Sequence, residues 1–160
     1  MINFLITNRA QSAVTAFNDD VDCIISLVEH ESNLPWCGSI PRMVLRMADV
    51  FDENEALAPT REHVKSALEF VSLCDDDAKV LVHCEAGISR SPAMVMILLM
   101  FIHKDIKKVE EIMRVVRPNC SPNDLILKFG DEILGTGRQL QDLGDILGSD
   151  VILPWLKKGK

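Results

Sequence analysis

The chain has 160 residues, 48% of them hydrophobic and 26% charged, and a net charge of -7 from 17 basic and 24 acidic residues. This length allows one domain with a sizeable core, and the composition is that of a globular protein, neither disordered nor fibrous. Non-specific binding to nucleic acid or to an anionic membrane needs a basic surface, so we expect neither partner.

The cysteines are odd in number and scattered, without paired or metal-ligand spacing: Cys23, Cys37, Cys74, Cys84 and Cys120. This pattern predicts reduced thiols, with no metal site and no cofactor. No basic segment followed by an apolar one opens the sequence, so we expect no signal peptide. The longest apolar run, 93–102, is shorter than the ~20 residues of a membrane helix, which favours a cytoplasmic protein.

The first quarter of the chain predicts a strand, a helix and a second strand. Residues 2–6 are an apolar run of strand length, and 10–18 form a helix with Ala13, Val14 and Phe17 predicted to face inward. The continuous apolar run within 21–28 is typical of a strand buried on both faces of a parallel sheet.

Residues 30–41 contain two prolines and a glycine and predict a loop, followed by a third strand over 43–47 and an acidic loop over 50–59. Thr60 is a suitable N-cap for a helix with an apolar stripe extending to about residue 73. Residues 80–82 are the fourth predicted strand.

Helices dominate the rest of the chain. A helix that is apolar on every side follows Pro92, which predicts a central, surrounded position. Amphipathic helices follow over 106–116 and from about 123 to 134, and a short helix is expected near 138–147.

Strands alternate with helices in the first half, and helices alone follow. This order predicts an α/β fold with one small, mostly parallel sheet of about four strands, flanked by helices on both faces. Without a linker or repeat, we expect a single domain over residues 1–150 and a short tail over 151–160.

The segment from His83 to Pro92 carries the chemistry. Cys84 follows a strand and precedes a helix, where unpaired amides and the positive helix end favour an anion and a thiolate. The guanidinium of Arg90 matches two phosphate oxygens, and Gly87 lets the amides turn inward. We interpret the phosphate loop as Glu85, Ala86, Gly87, Ile88, Ser89 and Arg90, with Cys84 as nucleophile and a cysteinyl-phosphate intermediate. Ser91 is placed to donate a hydrogen bond to the sulfur.

The pattern His83-Cys84-x5-Arg90-Ser91 resembles the signature of the cysteine-dependent protein phosphatases, and Ala86, Gly87, Ser89 and Pro92 are similar to the dual-specificity branch. The resemblance implies a phosphotyrosine-phosphatase-like fold, Cys84 as nucleophile, Arg90 as phosphate ligand and Ser91 as an aid to hydrolysis. It also implies that His83 supports the cysteine and that Asn123 braces the loop.

The family further requires an aspartate as general acid upstream of the cysteine. Asp49 lies 84 − 49 = 35 residues before Cys84 and directly follows the third strand. Asp52 lies 84 − 52 = 32 residues before it, the more usual spacing in the family. We favour Asp49 and keep Asp52 as the alternative.

The function expected is metal-independent hydrolysis of phosphomonoesters on phosphoproteins, or of small phosphomonoesters, with phosphotyrosine as the first substrate and phosphoserine or phosphothreonine as further ones. The alternatives are a catalytically weak phosphoprotein-binding module of the same fold, and a phosphatase acting on phosphoinositides or RNA 5′ ends. The loop carries an acid and no lysine, which makes the lipid substrate the weaker interpretation. The sequence leaves the oligomeric state open.

Overall fold

The computed structural model of the protein describes residues 1–158, and the last two residues of the predicted tail lie outside them. Four strands and six helices make up the fold. In chain order they are β1 (Asn3–Thr7), α1 (Arg9–Asn18), β2 (Cys23–Val28), β3 (Arg42–Arg46), α2 (Arg61–Ser72), β4 (Lys79–His83), α3 (Arg90–His103), α4 (Ile106–Val116), α5 (Asp124–Leu134) and α6 (Gln139–Lys158).

The strands form one sheet in the order β1-β4-β2-β3, and all three pairings are parallel. His83 at the end of β4 pairs with Thr7 of β1 and Ser26 of β2, while Val28 of β2 pairs with Arg46 of β3. The carboxyl ends of all four strands therefore meet at one edge of the sheet, where ligand sites of open α/β folds lie. The predicted α/β class and four-stranded parallel sheet are confirmed.

Both faces of the sheet are covered, because successive side chains of a strand point to opposite sides. On one face Ile24 and Leu81 pack with Ala16 of α1 in a small core cluster. On the other face Ile25 and Val82 join the main core, which contains residues from α2 to α6. β2 is buried over its whole length, as the continuous apolar run predicted.

α3 is the central helix of the main core, and every residue from Arg90 to Met100 is buried. The prediction of a surrounded helix is confirmed. This helix begins at the last residue of the phosphate loop, so the burial of α3 fixes the position of the loop. Within residues 1–158, none of the helices combines the length and the apolar character that a membrane span requires.

Two local predictions differ from the structure. In α1 the small side chains of Ser12 and Ala16 are the buried ones, while Val14 and Phe17 are exposed, and the Phe17 ring lies 6.0 Å from that of Trp36. Small residues let α1 approach the sheet closely, so the larger ones lie outside. The last helix is also longer than predicted: α6 runs across residue 150, where the predicted tail would begin.

Candidate active site

Cys84 directly follows β4 at the carboxyl edge of the sheet, and only 2% of its surface is exposed. The amide of Gly87 donates a hydrogen bond to its sulfur at 3.1 Å, and the hydroxyl oxygen of Ser91 lies 3.2 Å from the same sulfur. Hydrogen-bond donors at the sulfur stabilise its charged form more than its neutral form. The surroundings of Cys84 therefore suit a thiolate nucleophile.

The phosphate loop is held from outside by the segment between α4 and α5. Three successive carbonyls, of residues 87–89, accept hydrogen bonds from Arg117 Nε at 2.8 Å, the Ser121 amide at 2.9 Å and the Asn123 amide at 3.0 Å. Because the N–H of each peptide unit points away from its carbonyl, the amides of the next residues turn toward the interior of the loop. Converging amides of this kind form an anion site.

The tight turn of this loop requires glycine at position 87. Gly87 has φ +70°, and a Cβ there would lie 2.7 Å from the carbonyl oxygen of Thr7 and 3.0 Å from the amide nitrogen of Asn8. The loop thus packs directly on the backbone that leaves β1, where no side chain fits.

Arg90 is 4% exposed and is anchored through one end of its guanidinium. Nη1 donates to a carboxylate oxygen of Glu29 at 2.9 Å and to the carbonyl of Met47 at 2.7 Å. Its Nε is buried and has no hydrogen-bond partner among the described residues. A buried donor needs an acceptor, and a phosphate oxygen in the loop would supply one.

His83 links Cys84 to β2. Its Nδ1 lies 3.2 Å from the carbonyl oxygen of Cys84, and its Nε2 lies 2.6 Å from the hydroxyl of Ser26. Since a carbonyl only accepts, Nδ1 carries the proton and Nε2 accepts from Ser26. Burial lowers the pKa of His83 below its ordinary value of 6.5, despite the Cys84 carbonyl, which favours the charged form. The ring is therefore neutral at pH 7.

The acidic loop residue, Glu85, points away from the phosphate loop. It pairs with Arg9 at 2.7 Å and accepts a hydrogen bond from the hydroxyl of Ser32. Its partial burial favours the neutral acid, but the bonds from Ser32 and Arg9 outweigh that effect and lower its pKa. Glu85 thus fastens the loop to the start of α1.

Of the two candidate acids, the structure brings only Asp49 to the loop. Its Oδ1 lies 2.8 Å from the Ser89 hydroxyl and 2.8 Å from the side-chain amide of Asn123. Asp52 instead accepts hydrogen bonds from the backbone and side chain of Asn54, within its own turn. Both carboxylates are exposed.

The remaining predicted site residues lie together at this edge, and three further contributors were missed: Glu29, Arg117 and Ser26. Glu29 had one available signal, since it is an acid directly after a buried strand. Its relevance depends on β2 lying beside β4, which the sequence does not show. Arg117 and Ser26 carry no signal of their own, because their partners are 30 and 57 residues away.

This constellation of cysteine, inward amides and arginine on a parallel sheet defines a cysteine-dependent phosphatase fold. The model of the dual specificity phosphatase catalytic domain matches residues 4–129. The chain therefore belongs to the dual-specificity phosphatase catalytic domain family, a group of protein-tyrosine-phosphatase-like hydrolases.

Sequence relatives agree with this assignment. Dual specificity protein phosphatase 5 of Homo sapiens is 33% identical over 109 residues, which are 62% of this chain and 28% of the relative. Dual specificity protein phosphatase 15 of Homo sapiens is 32% identical over 102 residues, 62% of this chain and 32% of the relative. The chain thus matches about a third or less of these relatives' length.

Known structures share the fold. The crystal structure of DUSP15 has a TM-score of 0.66 at 25% identity, covering 92% of this chain and 91% of its own. The crystal structure of the human tyrosine phosphatase-like serine/threonine/tyrosine-interacting protein also has a TM-score of 0.66, at 21% identity. The match covers 84% of this chain and 92% of that chain.

Proposed function

We propose that this protein hydrolyses phosphomonoesters through a cysteinyl-phosphate intermediate on Cys84. The observation that carries this proposal is the buried sulfur at the base of a loop whose carbonyls are tied outward, so that its amides face a bound phosphate. Arg90 adds a positive charge held in place by Glu29. Amides and a guanidinium fixed in advance stabilise the charge of the transition state.

In the first step the thiolate attacks phosphorus in line with the leaving oxygen. The S–P bond forms as the P–O bond breaks, and Asp49 gives its proton to the departing oxygen. The hydrogen bonds from Ser89 and Asn123 to Asp49 support this role, whereas Asp52 makes no such contact among the residues that the structure describes.

In the second step water attacks the phosphorus of the cysteinyl phosphate. The carboxylate of Asp49 takes a proton from the water, the S–P bond breaks, and inorganic phosphate leaves. The departing thiolate is stabilised by the hydroxyl of Ser91, 3.2 Å from the sulfur, and by the Gly87 amide. The enzyme returns to its starting protonation state.

Phosphorylated proteins are the proposed substrates, phosphotyrosine first and phosphoserine or phosphothreonine second. Ile88 is 44% exposed in the loop and Phe51 is 66% exposed beyond Asp49. These apolar side chains suit the ring of a phosphotyrosine. Apart from Arg90, the charged side chain of residues 85–90 is that of Glu85, an acid that is paired with Arg9. These six residues therefore offer no further cation for a second phosphate.

The proposal is tested by measuring phosphate release in the presence of EDTA. The substrates are peptides bearing phosphotyrosine, phosphoserine or phosphothreonine, and phosphoinositide vesicles. We expect release from the phosphotyrosine peptide, its loss in Cys84→Ser, and a loss of about a hundredfold or more in Arg90→Lys. Activity that survives Cys84→Ser, or that EDTA abolishes, would refute it. Wild-type protein that binds the peptide and never releases phosphate would establish the binding module instead.

The choice of acid has its own test. Asp49→Asn should flatten the limb of the pH–rate profile on which the rate falls with rising pH, because a general acid must be protonated. Asp52→Asn is the matched control and should leave that limb in place. The reverse result would assign the acid to Asp52.

A further inference from the structure

Asp49 is held through one of its two carboxylate oxygens. Both the Ser89 hydroxyl and the Asn123 side-chain amide donate to Oδ1, each at 2.8 Å. Within the described part of the chain, Oδ2 accepts no hydrogen bond. An oxygen that accepts two donors has little capacity left for a proton, so the acid proton belongs on Oδ2.

Ser89 occupies the N-cap position of α3, where a serine hydroxyl ordinarily accepts a hydrogen bond from the second or third amide of the helix. Here the hydroxyl makes no such bond. It donates instead to Asp49, 40 residues earlier in the chain. The first amides of α3 are thereby left for a bound anion, while the cap residue contacts the acid.

The orientation of the Asn123 carboxamide is fixed by a hydrogen bond from α5. Asn123 is fully buried, and its Oδ1 accepts a hydrogen bond from the Ile126 amide at 3.0 Å as the N-cap of α5. The carboxamide nitrogen must then point toward the acid loop, residues 47–60, which joins β3 to α2. There it donates to Asp49 and to the carbonyl of Val50 at 3.1 Å. The N-cap residue of α5 thus holds both the side chain of Asp49 and the backbone of Val50.

We propose that Ser89 and Asn123 are positioning residues for Asp49, which hold its Oδ1 and direct the protonated Oδ2 toward the leaving oxygen. This inference rests on the proposed function, in which Asp49 is the general acid. It assigns to the Ser89 side chain a role separate from that of its amide in phosphate binding. It also joins three elements at the acid: the phosphate loop, the acid loop and α5.

Two substrates distinguish this role from a structural one. The p-nitrophenolate ion leaves with little protonation, whereas phenolate, whose conjugate acid has a tyrosine-like pKa of about 10, needs a proton. Ser89→Ala should lower kcat/KM for phenyl phosphate about tenfold and for p-nitrophenyl phosphate less than about threefold. Ser89→Thr, which keeps a hydroxyl, should restore most of the loss. Ser72→Ala, near the end of α2, is the matched control and should change neither substrate.

Asn123→Ser keeps an N-cap for α5 and removes the donor to Asp49, so it should show the same selective loss for phenyl phosphate. Each change combined with Asp49→Asn should add almost nothing beyond Asp49→Asn alone, because the residue being positioned is gone.

The outcomes separate the two proposals. If the wild type hydrolyses neither substrate, the proposed function fails. If Asp49→Asn loses phenyl phosphate selectively while Ser89→Ala and Asn123→Ser do not, only the positioning role is overturned. An equal loss for both substrates, or full additivity with Asp49→Asn, would also overturn it.

Discussion

Replacing Gly87 with alanine perturbs the phosphate loop at its most crowded point. An alanine would have to adopt φ +70° and place its Cβ 2.7 Å from Thr7 O, 2.8 Å from Thr7 C and 3.0 Å from Asn8 N. These three atoms are backbone atoms at the end of β1, which pairs with β4. They cannot move aside as a flexible side chain would.

The expected cost has two parts. The left-handed conformation costs an alanine about 1–2 kcal/mol, and overpacking costs about 1–3 kcal/mol, so the free energy of unfolding should fall by about 2–5 kcal/mol. Gly135→Ala separates them, since Gly135 has φ +67° with nothing within 4 Å of its added Cβ. This control should lose only the conformational part.

Urea denaturation of both variants measures the two losses, and phosphate release measures the effect on the loop. If the chain relieves the clash by moving the loop, Gly87→Ala keeps more stability but loses activity, because the Gly87 amide contacts the Cys84 sulfur. A Gly87→Ala protein as stable as Gly135→Ala and as active as the wild type would refute this description of the loop.

Three further predictions concern the supports of the site. Glu29→Gln weakens the anchor of Arg90 Nη1, so KM for p-nitrophenyl phosphate should rise about five- to tenfold in steady-state assays while the fold is kept. Arg117→Ala frees the carbonyl of Gly87 and should raise the activation free energy calculated from kcat more than it lowers the free energy of unfolding measured in urea. A larger loss in the free energy of unfolding would assign Arg117 to stability alone. The pKa of His83 is lower in the folded chain than in the unfolded chain, so the unfolded chain binds the proton more tightly. The free energy of unfolding should therefore decline as pH falls below about 6.5, and it should stop declining once the pH is below the folded-state pKa. Urea titrations from pH 5 to 7.5 check this, and an unchanged slope in His83→Gln would assign the decline to other groups.

Local patterns were enough to predict much of the fold. Continuous apolar runs marked β2 and α3, since complete burial leaves no polar side. The strand order could not be predicted, because nothing in β4 indicates that its neighbours are β1 and β2. The inward face predicted for α1 was wrong because its contact with the sheet uses small residues such as Ala16, while Phe17 packs on Trp36.

The C-terminal helix was underestimated for a similar reason. The short helix predicted near 138–147 includes Gly144, although a glycine ordinarily weakens a helix. In the structure, a Cβ at Gly144 would lie 2.4 Å from Leu127 Cδ1, so the missing side chain permits the close approach of α5 and α6. The benefit is a tertiary contact, which sequence periodicity does not register.

The arrangement of the candidate site was predictable where its residues lie close together in the chain and not where they are distant in sequence. Cys84 and Arg90 lie in one loop, so their spacing alone indicated that both contact the same phosphate. Asp49 and Asp52 could not be separated firmly, because what distinguishes them is contact with Ser89 and Asn123 across 40 and 74 residues. Glu29 and Arg117 reach the loop only through the folded chain.

Rapid-quench mass spectrometry of the Asp49→Asn protein mixed with p-nitrophenyl phosphate tests the central claim most directly. The good leaving group lets the first step proceed, while the missing base slows hydrolysis of the intermediate. The mechanism predicts one phosphoryl group, located on Cys84, that forms before steady-state turnover and is absent in the double variant with Cys84→Ser. Turnover without a phosphoryl group on Cys84, or with the group on another residue, would contradict the mechanism.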